Sequence, residues 1–232
     1  MQRQALERGL YFFMTSTTQE SKATVEPKKQ RVIFYIDGYN FYYGLRENGW
    51  RKFYWLDVVS FCEKFLSDNQ ELVCVKYFSA AALHLGKNSR QEKLFSVNKN
   101  NPKFKLILGS YLNKDVNCSN CNTTFPVPEE KKTDVNIATN LIMDCVYDNC
   151  DISVLISGDS DLTPPLEFIK THNSKHSINV FFPPKRVGHH LKLYANSTIS
   201  LEQYKSKFQK SIFNDRVELG NGKFVLKPQK WN

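Results

Sequence analysis

The sequence predicts an α/β fold whose mostly parallel sheet is covered by helices on both faces, and three observations lead there. Short runs without polar alternation recur along the chain, among them VIFYID, LVCVKYFSAA, ISVLIS and INVFFP; such runs suit strands buried on both sides. Segments with helical spacing of apolar residues separate them. Two of the runs end at or just before an aspartate, at the edge where open parallel sheets gather their ligand sites.

Each element follows in order. Residues 1–30 read as an appendage: QRQALERGLYFFM suits a short helix, and TSTTQESKATVEPKK is a polar linker. From Arg31 the chain alternates the strand VIFYID, a helix in FYYGLREN, the helix LDVVSFCEKFL, the strand LVCVKYFSAA, the helix SRQEKLFSVNK and the strand FKLILGSYL. A long loop then leads to the helix DVNIATNLIMDCVY, where Ile137, Ala138, Leu141, Ile142 and Cys145 keep helical spacing and leave Asp134 in the first turn. After ISVLIS, Thr163 is the expected N-cap of the next helix, with Pro164 at its first position. INVFFP, a helix around VGHHLKLYAN and a short strand TISL complete residues 31–201. Residues 202–232 form an extension, with a short basic helix in YKSKFQKSIF and a hairpin in VELGNGKFVL turning at Asn221-Gly222, packed on the main domain or on a second subunit of a homodimer.

Composition narrows the partners. With 232 residues and 41% hydrophobic content, the chain can bury one good-sized core. Its 32 Lys and Arg against 23 Asp and Glu give a formal charge of +9, which favours a polyanion over an acidic small metabolite. No apolar run approaches the roughly 20 residues of a membrane span, and GLYFFM is too short for a secretory core, so a cytoplasmic location without membrane contact is expected. Of six cysteines, Cys62, Cys74 and Cys145 fall in apolar periodic segments, where the reduced thiol behaves as a small core residue.

The chemistry lies in four carboxylates: Asp37 in VIFYIDGYN, Asp134 in EKKTDVNIATN, and Asp159 and Asp161 in VLISGDSDLTPP. Carboxylates drawn together repel unless a cation sits between them, and hard oxygen ligands suit a divalent ion. A charge directly after VIFYI is costly to desolvate without such a partner. Gly38 beside it suits a tight turn. Asn40 is either a helix N-cap or a group holding a metal-bound water or a phosphate oxygen. Asp161 either prepares the next helix or completes the ligand set.

These strings also carry a resemblance. YIDGYNFYYGL, EKKTDVNIATNLIMD and VLISGDSDLTPPLEFIK, followed by NVFFPP, resemble the NYN domain, in its LabA-like branch, of the PIN-like nuclease superfamily. The resemblance runs from about Val32 to Leu201 and keeps the family's motif order. It implies a PIN-like three-layer α/β/α sandwich whose acidic centre binds Mg²⁺ or Mn²⁺ and hydrolyses RNA, single strands being the favoured substrate. By that resemblance Asp37, Asp134, Asp159 and Asp161 are the metal ligands and catalytic positions, Asn40 accompanies Asp37, and Ser157 and Thr163 are hydroxyls that steady a ligand or contact phosphate. The implied chemistry is attack of a metal-activated water on a phosphodiester.

Other features are weighed beside it. Cys118 and Cys121 form a C-x-x-C that suits zinc, yet no second pair or nearby His pair completes four ligands. Tyr39 and Tyr42 stand nearest Asp37 among a crowd of aromatics that core packing mostly explains, and base stacking is the functional alternative. Lys131 and Lys132 before Asp134, and Lys185 and Arg186 after Pro183-Pro184, are candidates for contacts to a substrate backbone. The adjacent His189 and His190 point in different directions on a helix and make no tight metal pair. Against a metal-dependent ribonuclease stand a noncatalytic RNA-binding or scaffold protein on the same fold, and a phosphatase. The latter is disfavoured because Gly38-Tyr39 follows Asp37 where a second Asp would be needed, and no GKS/T loop occurs.

Overall fold

The eight residues of β1 (Gln30–Asp37), with the apolar run VIFYI at their centre, pass through the middle of a six-stranded sheet. The computed structural model describes residues 28–80 and 85–231, so the predicted N-terminal helix and most of the predicted linker lie outside the described residues. Helix α1 (Gly38–Glu47) and α2 (Val58–Glu63) lead to β2 (Gln70–Ser79), then α3 (Leu85–Asn98) and β3 (Phe104–Leu108). Two strands follow that leave the sheet, β4 (Ser110–Asn117) and β5 (Thr124–Lys131). Helix α4 (Thr133–Val146), β6 (Ile152–Ile156), α5 (Thr163–His172), β7 (Ser177–Phe182), α6 (Leu191–Tyr194) and β8 (Ser197–Ser200) return to it, and α7 (Lys205–Gln209), β9 (Arg216–Gly220) and β10 (Lys223–Leu226) close the order.

The main sheet has the order β3-β2-β1-β6-β7-β8, and every pairing in it is parallel. Its layers follow from the alternation of side chains along a strand. Val32, Phe34 and Ile36 point into one cluster with Phe41, Phe61 and Val59 from α1 and α2. Ile33 and Tyr35 point into the other, with Ile137 and Leu141 of α4 and Leu166 and Ile169 of α5. A three-layer α/β/α sandwich results, as predicted. Burying each of these large side chains contributes about 1.5–3 kcal/mol. The C-terminal extension shares this core: Phe208 and Trp231 are buried in the cluster that holds Phe34.

The second layer contains a charged group. Asp144 on α4 accepts hydrogen bonds from the Tyr35 hydroxyl (2.6 Å), the Lys76 ammonium (2.6 Å) and the Asn149 side-chain amide (2.9 Å), so its burial leaves neither oxygen unpaired.

The structure corrects four local expectations. The predicted strand FKLILGSYL divides at Gly109, where a Cβ would come within 2.7 Å of the Lys131 carbonyl and 2.8 Å of the Thr133 hydroxyl; only glycine permits that approach. The predicted long loop is the antiparallel hairpin β4–β5. Helix α5 begins at Thr163 with proline in its first turn, but the Thr163 hydroxyl donates to the Ser160 carbonyl (2.6 Å) and Leu162 holds the N-cap position without a side-chain bond. The helix around VGHHLKLYAN shrinks to the single turn of α6. The hairpin predicted at Asn221-Gly222 is present, with both residues and Gly220 at positive φ, as the turn chemistry requires.

Candidate functional site

From β1 the connections run outward to β2 and β3, and from β6 they run the other way to β7 and β8, so the direction switches between β1 and β6. In open parallel sheets the crevice at that point, at the carboxyl ends of the strands, is where ligands bind. The register pairs Ile36 with Ile156, which sets Asp37 and Ser157 side by side at this edge. The Ser157 hydroxyl donates to Asp37 Oδ2 (2.9 Å) and accepts from the Asp159 amide (3.0 Å). Asp37 Oδ1 accepts from the Asn40 amide (3.0 Å), so Asp37 is itself the N-cap of α1.

Asp134 enters from the first turn of α4. Asp37, Asp134 and Asp159 each offer a carboxylate oxygen, and these oxygens lie within 4.8 Å of one another. Oxygens on opposite sides of a small divalent ion stand about 4.2 Å apart, given bonds of about 2.1 Å, so the spacing permits joint ligation. None of the three carboxylates pairs with a Lys, Arg or His among the described residues. Asp37 is only 4% exposed. Burial pushes its carboxyl from 3.8 up to about 6, the charges on Asp134 and Asp159 add to that, and the bonds from Asn40 and Ser157 offset part of it. Asp134 is raised as well, by desolvation first and then by Asp159. Hard oxygen donors without a protein cation between them fit a divalent metal ion.

The remaining predicted residues divide sharply. Asp161 is exposed and stands outside the group of three; its amide donates to Asp159 Oδ1 (3.0 Å), fixing that side chain. Asn40 does not cap α1: its side-chain oxygen accepts from the Gly158 amide (3.0 Å) and ties the helix to the turn carrying Asp159. Ser157 is fully buried, its hydroxyl committed to the Asp37 carboxylate and the Asp159 backbone amide, so it steadies Asp37 and the turn carrying Asp159 and is out of reach of a phosphate. Thr163 is likewise engaged locally, with Ser160. Lys132 is exposed in a left-handed conformation (φ 80°) just before α4. Lys131 pairs with Glu129 (3.0 Å), Lys185 with Glu202 (2.9 Å), and Arg186 with Glu47 on α1. Cys118 and Cys121 sit at the hairpin tip, with no third metal-capable side chain grouped with them among the described residues. Thr123 holds the exposed Cys121 thiol below its ordinary range.

Sequence reasoning missed two features here. Glu130, the penultimate residue of β5, accepts from the Thr133 amide (3.2 Å) and hydroxyl and so fixes the start of α4, and its charge bears on Asp134. A cavity of about 730 Å³ opens beside Gly38 and Tyr39. In it the Tyr39 hydroxyl meets that of Tyr111 from β4. The run EEKKTD hints at the first; nothing local signals the second, because its walls come from six separate stretches.

Comparison with known proteins agrees with this architecture. A protein of unknown function from Vibrio parahaemolyticus has a crystal structure that superposes with a TM-score of 0.51 at 20% identity, covering 75% of this chain and 93% of that one; at that identity it speaks for the fold. A curated relative, 6-hydroxy-3-succinoylpyridine 3-monooxygenase HspA from Pseudomonas putida, is 29% identical across 66% of this chain, which spans 59% of that relative's length. Among the described residues no helix is long and apolar enough to cross a membrane. Residues 31–202 match the NYN domain, a family generally of nucleases. The chain therefore belongs to the NYN domain family.

Proposed function

We propose that this chain is a metal-dependent ribonuclease of the LabA-like branch, acting on single-stranded RNA in the cytoplasm. The observation that carries the reading is the group of Asp37, Asp134 and Asp159, gathered without a protein cation at the switch point of an NYN domain. These three carboxylates would hold Mg²⁺ or Mn²⁺. Bound there, the ion supplies a lowered pKa for water and neutralises charge on a phosphodiester. The chain itself supplies rigidity: Ser157 and Asn40 lock Asp37 and the Gly158 turn together, and the Asp161 amide holds Asp159. Tyr39 flanks Asp37 in sequence, and Lys132 precedes the Asp134 helix by two residues, where an exposed ammonium can meet a substrate phosphate. Lys185 and Arg186 lie on the loop packed against the Gly158 turn, already paired with Glu202 and Glu47, so a substrate would have to draw them from those partners.

Incubating labelled single-stranded RNA with wild type and Asp134→Asn, in Mn²⁺ and in chelator, tests this reading. Cleavage by wild type in Mn²⁺ alone is expected. Salt-sensitive binding without cleavage would instead favour a noncatalytic RNA-binding protein. A second reading draws on the pyridine monooxygenase relative: the aromatic cavity next to the carboxylates is the observation in its favour, and turnover of a hydroxypyridine acid with oxygen and a reductant would support it.

A further inference from the structure

The cavity beside the carboxylates has two properties that together define a ligand. Its walls are aromatic: Tyr39 and Tyr42 from α1, Tyr54 from the turn before α2, Tyr77 from β2, Phe95 from α3 and Tyr111 from β4 all face it. Its other lining side chains include Arg46, Arg51, Arg90 and Lys230, and no acidic residue is among the described lining residues. None of these four cations forms an ion pair with a described residue, whereas Lys185 and Arg186 on the opposite side of α1 both do. An apolar, aromatic interior with uncompensated positive charge selects a flat ring bearing an anion. The volume, about 730 Å³, falls within the usual range for small-ligand sites and accommodates a nucleotide.

Its position adds the third argument. Gly38 and Tyr39 line the cavity and directly follow Asp37. At Gly38 a Cβ would come within 2.6 Å of the Tyr77 ring and 2.5 Å of the Phe78 carbonyl, so the absence of a side chain brings the cavity wall against the end of β1. A ring seated among the tyrosines is therefore one short step of chain from the carboxylate group.

We propose that this cavity receives one unstacked base of the RNA strand, with the adjoining phosphate on the arginine rim, and so delivers the neighbouring phosphodiester to Asp37, Asp134 and Asp159. This rests on the ribonuclease reading for its choice of strand, and it deepens that reading by naming how a single strand is gripped. A free aromatic acid is the competing occupant.

The test is equilibrium binding in chelator, where nothing is cut, read by the fluorescence of 2-aminopurine in a single-stranded RNA and in the free riboside monophosphate. Wild type should quench the strand probe, because the fluorophore stacks. Tyr42→Ala and Arg51→Ala, both at exposed positions where folding is not at stake, should each weaken strand binding by about 10-fold. Tyr42→Phe keeps the ring and should bind within about 2-fold of wild type. Lys175→Gln, on the turn at the opposite edge of the sheet, should bind as wild type does. Absence of quenching, or equal affinity across all variants, overturns the proposal. So does quenching by the free monophosphate alone with a strand that neither quenches nor competes, which would assign the cavity to a small molecule. Cleavage is scored separately in Mn²⁺: a strand that quenches and responds to the variants yet stays intact upholds the base site while defeating the ribonuclease reading.

Discussion

Replacing Asp37 by Asn should make the metal-free protein more stable at neutral pH, although it removes a residue at the centre of the proposed site. The carboxyl titrates at about 6 in the folded chain against 3.8 ordinarily, because it is buried beside Asp134 and Asp159. Between pH 4 and pH 6 the folded protein thus keeps a proton that the unfolded chain has released, so the Asp37 contribution lowers stability as pH rises through that window and is fully unfavourable above it. The difference corresponds to roughly 3 kcal/mol at pH 8 and about half that at pH 5. Asparagine keeps the N-cap geometry, since its oxygen can accept from the Asn40 amide and its NH₂ can donate to Ser157. Thermal unfolding in chelator should show Asp37→Asn melting roughly 5–10 °C above wild type at pH 8, with the gap narrowing towards pH 4. A variant that is less stable than wild type by the same amount at every pH would refute the reasoning, because Asp37 would then be a structural cap and not a carboxylate held ready for a cation.

Other perturbations give separate checks. Saturating Mn²⁺, at about a hundred times its dissociation constant, should stabilise wild type by about 2.7 kcal/mol; Asp134→Asn and Asp159→Asn should lose most of that gain in a thermal-shift titration. Lys76→Met removes the ammonium at 2.6 Å from buried Asp144 and should cost about 3–5 kcal/mol in urea denaturation, with much of the loss recovered by adding Asp144→Asn. Gly38→Ala forces a Cβ into the Phe78 carbonyl and the Tyr77 ring and should lower RNA cleavage by about 100-fold while the chain stays folded by circular dichroism. Phe208→Ala, in a residue buried between Phe53 and Phe61, should cost about 3–5 kcal/mol, measured by chemical denaturation.

What could be read from the chain depended on whether burial wrote a pattern into it. β1 was legible because VIFYI is apolar on both faces, and Asp37 because a charge ending such a run has to be explained. Asp134 followed from the helical spacing of Ile137, Leu141 and Cys145, all buried as that spacing requires. The hairpin β4–β5 was illegible for the converse reason. It is a two-stranded ribbon with most of its residues exposed; Leu112, Val116, Phe125 and Val127 share one face, but Lys114 and Glu129 interrupt it, and Pro126 and Pro128 read as strand breakers. Spaced two apart, they turn their missing N–H groups to the same outer edge, where no partner strand needs them. The cap reading of Asn40 fails because that cap is already supplied by Asp37, and the partner of its side-chain oxygen, the Gly158 amide, lies 118 residues away. Asp161 shares the spacing of a ligand pair with Asp159, but its carboxylate stands outside the group of three, and in the short turn after β6 its amide holds the Asp159 side chain.

The same ribbon links parts that the sheet keeps apart. One of its strands carries Tyr111 in the cavity wall near the root, and the other ends on Glu130, which holds the start of the helix bearing Asp134. With eight residues in each strand it extends about 25 Å to the cysteine-bearing tip. Tyrosine wall and aspartate helix therefore share one support, and a substitution that displaces the ribbon's root disturbs both at once.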